Sequence, residues 1–411
     1  MISLGLAFGL GLVGLGVIAA APGLVLTGLL AVLAVGVTGL WSHYGLRNLH
    51  YRRTIDRDRA VWGDDLPLDI EVWNDKPLPL AWLSVDDFAT VGTSIRDETL
   101  ATSSRPGFKI LRSRWTVGWY ERVVRHLTIA ADHRGVYSFG PVNLTVADLF
   151  GRGAATEAHE DPATYIVRPR SLPVRIASPQ HQPVGSLPAR HTLFEDPAFF
   201  AGVRPYQPGD PLRRIHWRAT ARTGVPVSKR FDPSRAREVL VAVDVQTMPG
   251  HHWLLHFDDD LVESLMVAAA SLVRHALAQG ASCGLAATAF SRTLDRFALV
   301  APRAGRDQLA VIADLLGRLS EVPSAPFERL IDRLPRRLSP GTTVIVVTAR
   351  DPAPFLPSLI RLDRSGFPVQ LVGLGPNGDR AVASARAGGL AATSASLAPD
   401  WRTSDALVLA S

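Results

Sequence analysis

The hydrophobic pattern opens with a long run that no charge interrupts. Residues 2–41 hold no charged side chain, twice the roughly 20 apolar residues that one helical span of a bilayer needs. Pro22 and Gly23 break the run near its middle. The pattern therefore predicts a transmembrane helical hairpin over residues 1–45, with one span over 3–20 and another over 24–41. Trp41 and Tyr44 are interfacial anchors, and Arg47, Arg52, Arg53, Arg57 and Arg59 follow them. The turn between the spans carries no charge, so the positive-inside bias predicts that everything after residue 45 faces the cytoplasm. A cleavable leader fits less well, because no Lys or Arg precedes the apolar core and a second span follows. Gly5, Gly9, Gly11, Gly14 and Gly16 permit close helix approach, read as packing within the hairpin.

Beyond the hairpin the period becomes two. Residues 66–73, 122–130 and 135–146 alternate apolar and polar positions and are separated by turn signals such as Asp132-His133-Arg134-Gly135 and Gly140-Pro141. Residues 46–170 therefore read as an antiparallel β-sandwich domain. Residues 171–203 are weakly patterned and read as a linker. Together with an Arg-rich motif the linker segment runs over 171–237.

From residue 238 the pattern changes again. Val239-Leu-Val-Ala-Val-Asp244 is a continuous apolar run ending in a carboxylate, as a buried parallel strand does. Strands over 284–290, 343–348 and 369–374 alternate with helices over 259–279, 305–319, 326–334 and 353–365. Residues 238–411 thus read as an α/β doubly wound domain, whose binding crevice lies at the carboxyl ends of the strands, where Asp244 and Thr348 fall. The fold class is multidomain: a transmembrane hairpin, a β-sandwich and a doubly wound α/β domain.

Composition changes this picture little. The chain has 411 residues, a net charge of +6 and one cysteine, Cys283. A basic balance favours an anionic partner or membrane-topology charge. One cysteine excludes an internal disulfide, and Cys283 reads as a small core residue.

The densest chemistry lies over 204–222, R-P-Y-Q-P-G-D-P-L-R-R-I-H-W-R-A-T-A-R. Asp210 reads as a helix N-cap with Pro211 at the first position. Leu212, Ile215 and Ala219 form the buried stripe, and Gly224 ends the helix. Arg213, Arg214, Arg218 and Arg222 project from the other faces. An enzyme reading would use Asp210 and His216 as acid and base with arginine clamps on an anionic substrate. A third reading is an anionic-lipid or nucleic-acid binder, although few aromatics interleave the basic residues as a single-strand binder wants. No nucleic acid partner is expected.

In order, these pieces resemble the bacterial domain-of-unknown-function 58 family. The resemblance rests on the apolar hairpin, on Arg134-Gly-Val-Tyr-Ser-Phe-Gly140-Pro141 and Asp148-Leu-Phe-Gly151, and on Arg204, Tyr206, Gly209, Asp210, Arg213, Ile215, Trp217, Ala221 and Arg222. Pro205 stands where the family commonly has an acidic residue. The resemblance implies a von Willebrand factor type A-like C-terminal domain. It also implies partnership with a MoxR-type AAA+ ATPase or a membrane transglutaminase-like protein in assembly or envelope-related processes, at the bacterial plasma membrane, and no enzymatic activity. Such domains often hold Mg²⁺ through Asp-x-Ser-x-Ser and a later Thr. Here Asp244, Gln246 and Thr348 take those places, Met248 replaces a hydroxyl, and Ala349 stands where an acid would follow the Thr, a degenerate metal site. No cofactor is expected. Without metal, Asp244 is expected to pair with an arginine such as one from the 204–222 block. That block itself is read as a structural clasp in which Tyr206, Trp217 and the arginines lock the linker and helix against the C-terminal domain, leaving Arg214 and Arg218 for a partner. The expected function is a membrane-anchored adaptor.

Overall fold

In the computed structural model, described for residues 2–147, 155–177, 200–206, 215–231, 237–248, 257–290, 297–305 and 307–410, the apolar run forms two helices, α1 (Ile2–Ile18) and α2 (Pro22–Tyr44). Pro22 opens α2, where its missing N–H costs no hydrogen bond. Glycine sets how closely the helices approach. A Cβ on Gly28 would lie 2.7 Å from the Val13 amide nitrogen and 2.8 Å from the Gly9 carbonyl, so backbone meets backbone there. The outward faces remain apolar and exposed, as at Leu4 and Leu33. Such an apolar helix pair points to membrane association.

The chain divides into two units, residues 1–168 and 169–411. The hairpin shares the first with strands β1 (Leu49–Ile55), β2 (Arg59–Val61), β3 (Asp65–Asn74), β4 (Leu80–Thr90), β5 (Ser94–Ile95), β6 (Ala101–Thr102), β7 (Phe108–Val117), β8 (Arg122–Ala130), β9 (Gly135–Ala147), β10 (Ala155–His159) and β11 (Ala163–Arg168). They form one sheet of order β1-β3-β8-β5 and another of order β2-β11-β9-β4-β7-β6, with β10 paired to β9. Alternating residues such as Leu66, Leu68 and Ile70 from one sheet and Leu83, Val85 and Leu144 from the other make a single core. The sheets are not wholly antiparallel: β2 and β11 run parallel, because β2 crosses to the sheet opposite its neighbours β1 and β3.

A lysine is buried at one end of this unit. Lys76 in the β3–β4 turn is 7% exposed, and its ammonium has no hydrogen-bond partner among the described residues. Burial pushes its pKa down to about 8. The folded state therefore binds fewer protons than the unfolded state between about pH 8 and the unfolded lysine value. Below that window the cost is fully present, and it fades as pH rises. Lys76→Met is expected to add about 2–3 kcal/mol of stability at pH 7, a gain that shrinks steadily above pH 8. Denaturant melts of the detergent-solubilised chain at pH 7 and pH 10 check this. A pH-independent gain would assign it to packing alone.

The second unit holds β12 (Val174–Ala177), β13 (Phe200–Pro205), α3 (Trp217–Thr223), β14 (Val227–Phe231), β15 (Glu238–Val243), α4 (Asp259–Ala278), β16 (Ser282–Ala287), β17 (Ala298–Arg303), α5 (Asp307–Arg318), α6 (Phe327–Ile331), β18 (Thr343–Thr348), α7 (Leu356–Arg364), β19 (Val369–Leu374), α8 (Gly378–Ala387), β20 (Ala391–Ser396) and β21 (Leu407–Ala410). Its large sheet has the order β12-β21-β20-β19-β18-β15-β16-β17. Neighbours from β20 to β16 run parallel, whereas β17 and β21 pair antiparallel to β16 and β20. Val239, Val241 and Val243 face α4 and α5, and Leu240 and Ala242 face the side of α6, α7 and α8. Helices thus cover both faces, which is why β15 is apolar at every position from Val239 to Val243. α4 is long and apolar enough to span a bilayer but is a core helix, most of its residues, such as Leu265, Met266 and Leu272, being buried.

One boundary differs from the sequence reading. β12 lies inside the segment read as a linker and pairs in parallel with β21 at the far end of the chain. The second unit therefore begins at residue 169 and takes in the segment read as a linker, while the first ends at residue 168, two residues before the sandwich boundary read from the sequence.

Candidate functional site

β15 lies between β18 and β16, so the chain leaves it in one direction and later returns on its other side. At such a switch point the loops after the strands part and open a crevice at their carboxyl ends. Asp244 directly follows β15, and Thr348 ends β18. Both are fully buried, and the structure brings them together: the Thr348 hydroxyl donates to Asp244 Oδ2 at 3.0 Å.

The partner of Asp244 is Arg350. Its Nε donates to Oδ2 at 2.7 Å and its Nη2 to Oδ1 at 3.3 Å. The guanidinium lies over the Phe355 ring at 5.1 Å, and Arg350 as a whole is 8% exposed. The arginine expected from the 204–222 block is therefore replaced by one two residues beyond Thr348. Side-on bidentate pairing is the strongest geometry available to these groups. Burial pushes the Asp244 carboxyl up from its ordinary range, while Arg350, Thr348 and the Gln246 amide pull it back down.

Gln246 was expected to lend a carbonyl to a cation. Its side-chain Nε2 donates to the Met248 carbonyl at 3.0 Å. Thr247 Oγ1 accepts from the Asp258 amide at 3.0 Å, and Asp258 caps α4 by accepting from the Leu261 amide at 3.1 Å. These polar groups thus hold the loop and the helix start to each other. No cluster of three or more His, Cys, Asp or Glu suited to a metal occurs among the described residues. Cys283 lies in the core, where burial raises its thiol to about 12, so it is no nucleophile at neutral pH.

Only part of the 204–222 block is described. Gly209, Asp210, Arg213 and Arg214 lie outside the described residues, as does Asp148-Leu-Phe-Gly151. The helix begins later than the sequence suggests. Ile215 is a buried bridge residue opposite Ser228, and His216, not Asp210, is the N-cap of α3, its Nδ1 accepting from the Ala219 amide at 3.0 Å. Pairing with β14 wins over local helix propensity at Ile215. Gly224 ends α3 in the left-handed conformation, as expected. Arg204 pairs in register with Ser228, the Tyr206 amide donates to Pro226 O at 3.0 Å, and the His216 amide donates to Val227 O at 2.8 Å. β14 thus ties both ends of the block together. Trp217 departs from the clasp reading. It is 67% exposed, beside exposed Arg218 and Arg222.

Residues 202–353 match the family model described as "Protein of unknown function DUF58". That stretch carries both the block and the Asp244–Arg350 pair. A curated relative, the uncharacterized protein YeaD of Bacillus subtilis (strain 168), is 25% identical over 251 residues, which cover 60% of this chain and 58% of that relative. The chain spans less than two thirds of the relative's length. Together these matches make residues 202–353 similar to the DUF58 family. Among solved structures, the CARDB domain of the PF1109 protein from Pyrococcus furiosus is 14% identical over 29% of this chain and 86% of that one, with a TM-score of 0.19. A cohesin module from a Clostridium perfringens family 33 glycoside hydrolase is 12% identical over 28% and 96%, with a TM-score of 0.20. Likenesses at that level carry no argument.

Proposed function

We propose that this chain is a membrane-anchored, cytoplasm-facing adaptor of the bacterial plasma membrane that presents α3 to a protein partner. The observation that carries the reading is the exposed Trp217, flanked on α3 by exposed Arg218 and Arg222. Trp and Arg dominate the energetics of protein interfaces, because each combines large contact area with directed polar groups. The helix beneath them is pinned by backbone bonds to β14, so little ordering entropy is lost on docking. We read the partner as a MoxR-type AAA+ ATPase, with a membrane transglutaminase-like protein as a second component, and the C-terminal unit as von Willebrand factor A-like.

On this reading Arg350 takes the place of a divalent cation at the strand ends. It neutralises Asp244 from within the chain and frees docking from magnesium. The hydrolase alternative is weaker. His216 spends its Nδ1 on capping α3. The cleft of about 540 Å³ beside the α4 start is lined by neither His nor Cys.

The test is binding of the full chain in nanodiscs to the AAA+ ATPase encoded beside it, measured in ATP and ADP states. Trp217→Ala is expected to weaken binding by 2 kcal/mol or more, roughly 30-fold, and Arg218→Ala by about 1 kcal/mol, with melting temperatures unchanged. Binding of the wild type in neither nucleotide state would refute the reading. A fall in stability for Trp217→Ala would return that residue to a structural role.

A further inference from the structure

The end of the two-sheet unit nearest α2 carries aromatic side chains that its own core does not use. Trp119 and Tyr120, adjacent in the β7–β8 turn, are 69% and 68% exposed, and Trp82 near the start of β4 is 54% exposed. Water is a poor home for such a cluster, whereas amphipathic rings settle at the boundary between headgroups and hydrocarbon.

Their position follows from the chain. The Trp41 indole N–H, at the end of α2, donates to Pro79 O in the β3–β4 turn at 3.0 Å. That turn is knitted to the one bearing Trp119: the Tyr120 amide donates to Lys76 O at 3.3 Å, and buried Asn74 Nδ2 donates to Leu78 O at 2.9 Å and Gly118 O at 2.7 Å. Gly45, just after α2, packs on Val146 so closely that a Cβ would lie 2.9 Å from its Cγ1. Trp82 is in register with Ala147, the next residue along β9. The three exposed aromatics therefore share one end of the sheets with the end of α2. Arg47, whose guanidinium lies 4.9 Å over the Tyr44 ring, adds positive charge at the same level. Tyr120 is held in the left-handed region at φ 50, which a non-glycine residue adopts only when its surroundings enforce it.

We infer that this end of the two-sheet unit seats on the membrane: Trp119, Tyr120 and Trp82 enter the interface of the bilayer spanned by α1 and α2. The unit is thereby held flat on the surface rather than swinging on its tether. The inference rests on the spanning reading of the hairpin, and its test separates the two. Trp119→Cys, Tyr120→Cys, Leu33→Cys and Ser104→Cys are spin-labelled in the full chain, in nanodiscs of phosphatidylcholine and phosphatidylglycerol. Native Cys283 is buried and protonated, so it stays unlabelled. Leu33 lies on the exposed face of α2, and Ser104 in the β6–β7 turn at the opposite end of the sheets. Oxygen collisions are expected to exceed those of a water-soluble nickel chelate several-fold at residue 33. The two approach parity at 119 and 120, and nickel dominates at 104. If 33 is lipid-buried while 119 and 120 match 104, the seating is wrong and the span stands. If 33 is itself water-accessible, the span fails and the seating with it.

Discussion

Arg350→Met is expected to destabilise the C-terminal unit by about 3–5 kcal/mol. The methionine fills much of the volume, but Asp244 is left as a fully buried carboxylate whose charge only the Thr348 hydroxyl and the Gln246 amide still meet. The penalty arises from an uncompensated charge rather than from lost packing. Adding Asp244→Asn to Arg350→Met is therefore expected to recover most of the loss, because removing the charge removes its cause. Thermal denaturation of the single and double variants, followed in the C-terminal unit by proteolysis, measures the coupling. Additive losses would mean that the pair contributes no more than its parts.

Magnesium added to the wild type tests whether the guanidinium replaces a cation. Millimolar magnesium is expected to leave the wild-type melting temperature unchanged, since both oxygens of Asp244 are already held. A wild-type gain on adding magnesium would show that metal competes successfully with Arg350.

What the sequence revealed and what it hid divide along locality. The apolar hairpin, the strand from 343 to 348 and the helix from 259 rest on patterns within one element, and the structure places them where the periodicity puts them. β12 is four residues long and exists because β21 lies beside it, more than 200 residues later in the chain, so no local pattern announces it. The Asp210-Pro211 pair is good capping chemistry, yet Ile215 is drawn into a bridge with Ser228 and the helix starts after it. Arg350 was in plain view two residues past Thr348, but its role depends on meeting Asp244, 106 positions away. Trp217 is hidden for the same reason. Its exposure depends on tertiary packing, which no local pattern announces.

Arg53→Met is expected to be as damaging to the first unit. Arg53 lies on β1 of one sheet and Asp87 on β4 of the other, and neither side chain is exposed. Arg53 Nη1 donates to both Asp87 oxygens at 2.5 and 2.6 Å, its Nη2 donates to the Asp161 carbonyl, and the Tyr51 hydroxyl donates to Asp87 Oδ2 at 2.8 Å. Burial works against the Arg53 charge, but Asp87, Tyr51 and Asp161 together outweigh it and hold the guanidinium above its ordinary range. The pair thus fixes the two sheets against each other through a charge contact that tolerates little sliding. Losing Arg53 strands Asp87 in the core at a cost of about 3–5 kcal/mol, a fall in melting temperature on the order of 10 °C for a unit of this size. Arg53→Met with Asp87→Leu is the decisive companion. If the pair serves specificity rather than stability, the double variant regains the wild-type melting temperature or exceeds it, yet its backbone amides exchange faster along β1 and β4 as the sheets lose their fixed alignment. A double variant as unstable as the single would instead make the ion pair a net stabiliser of the fold.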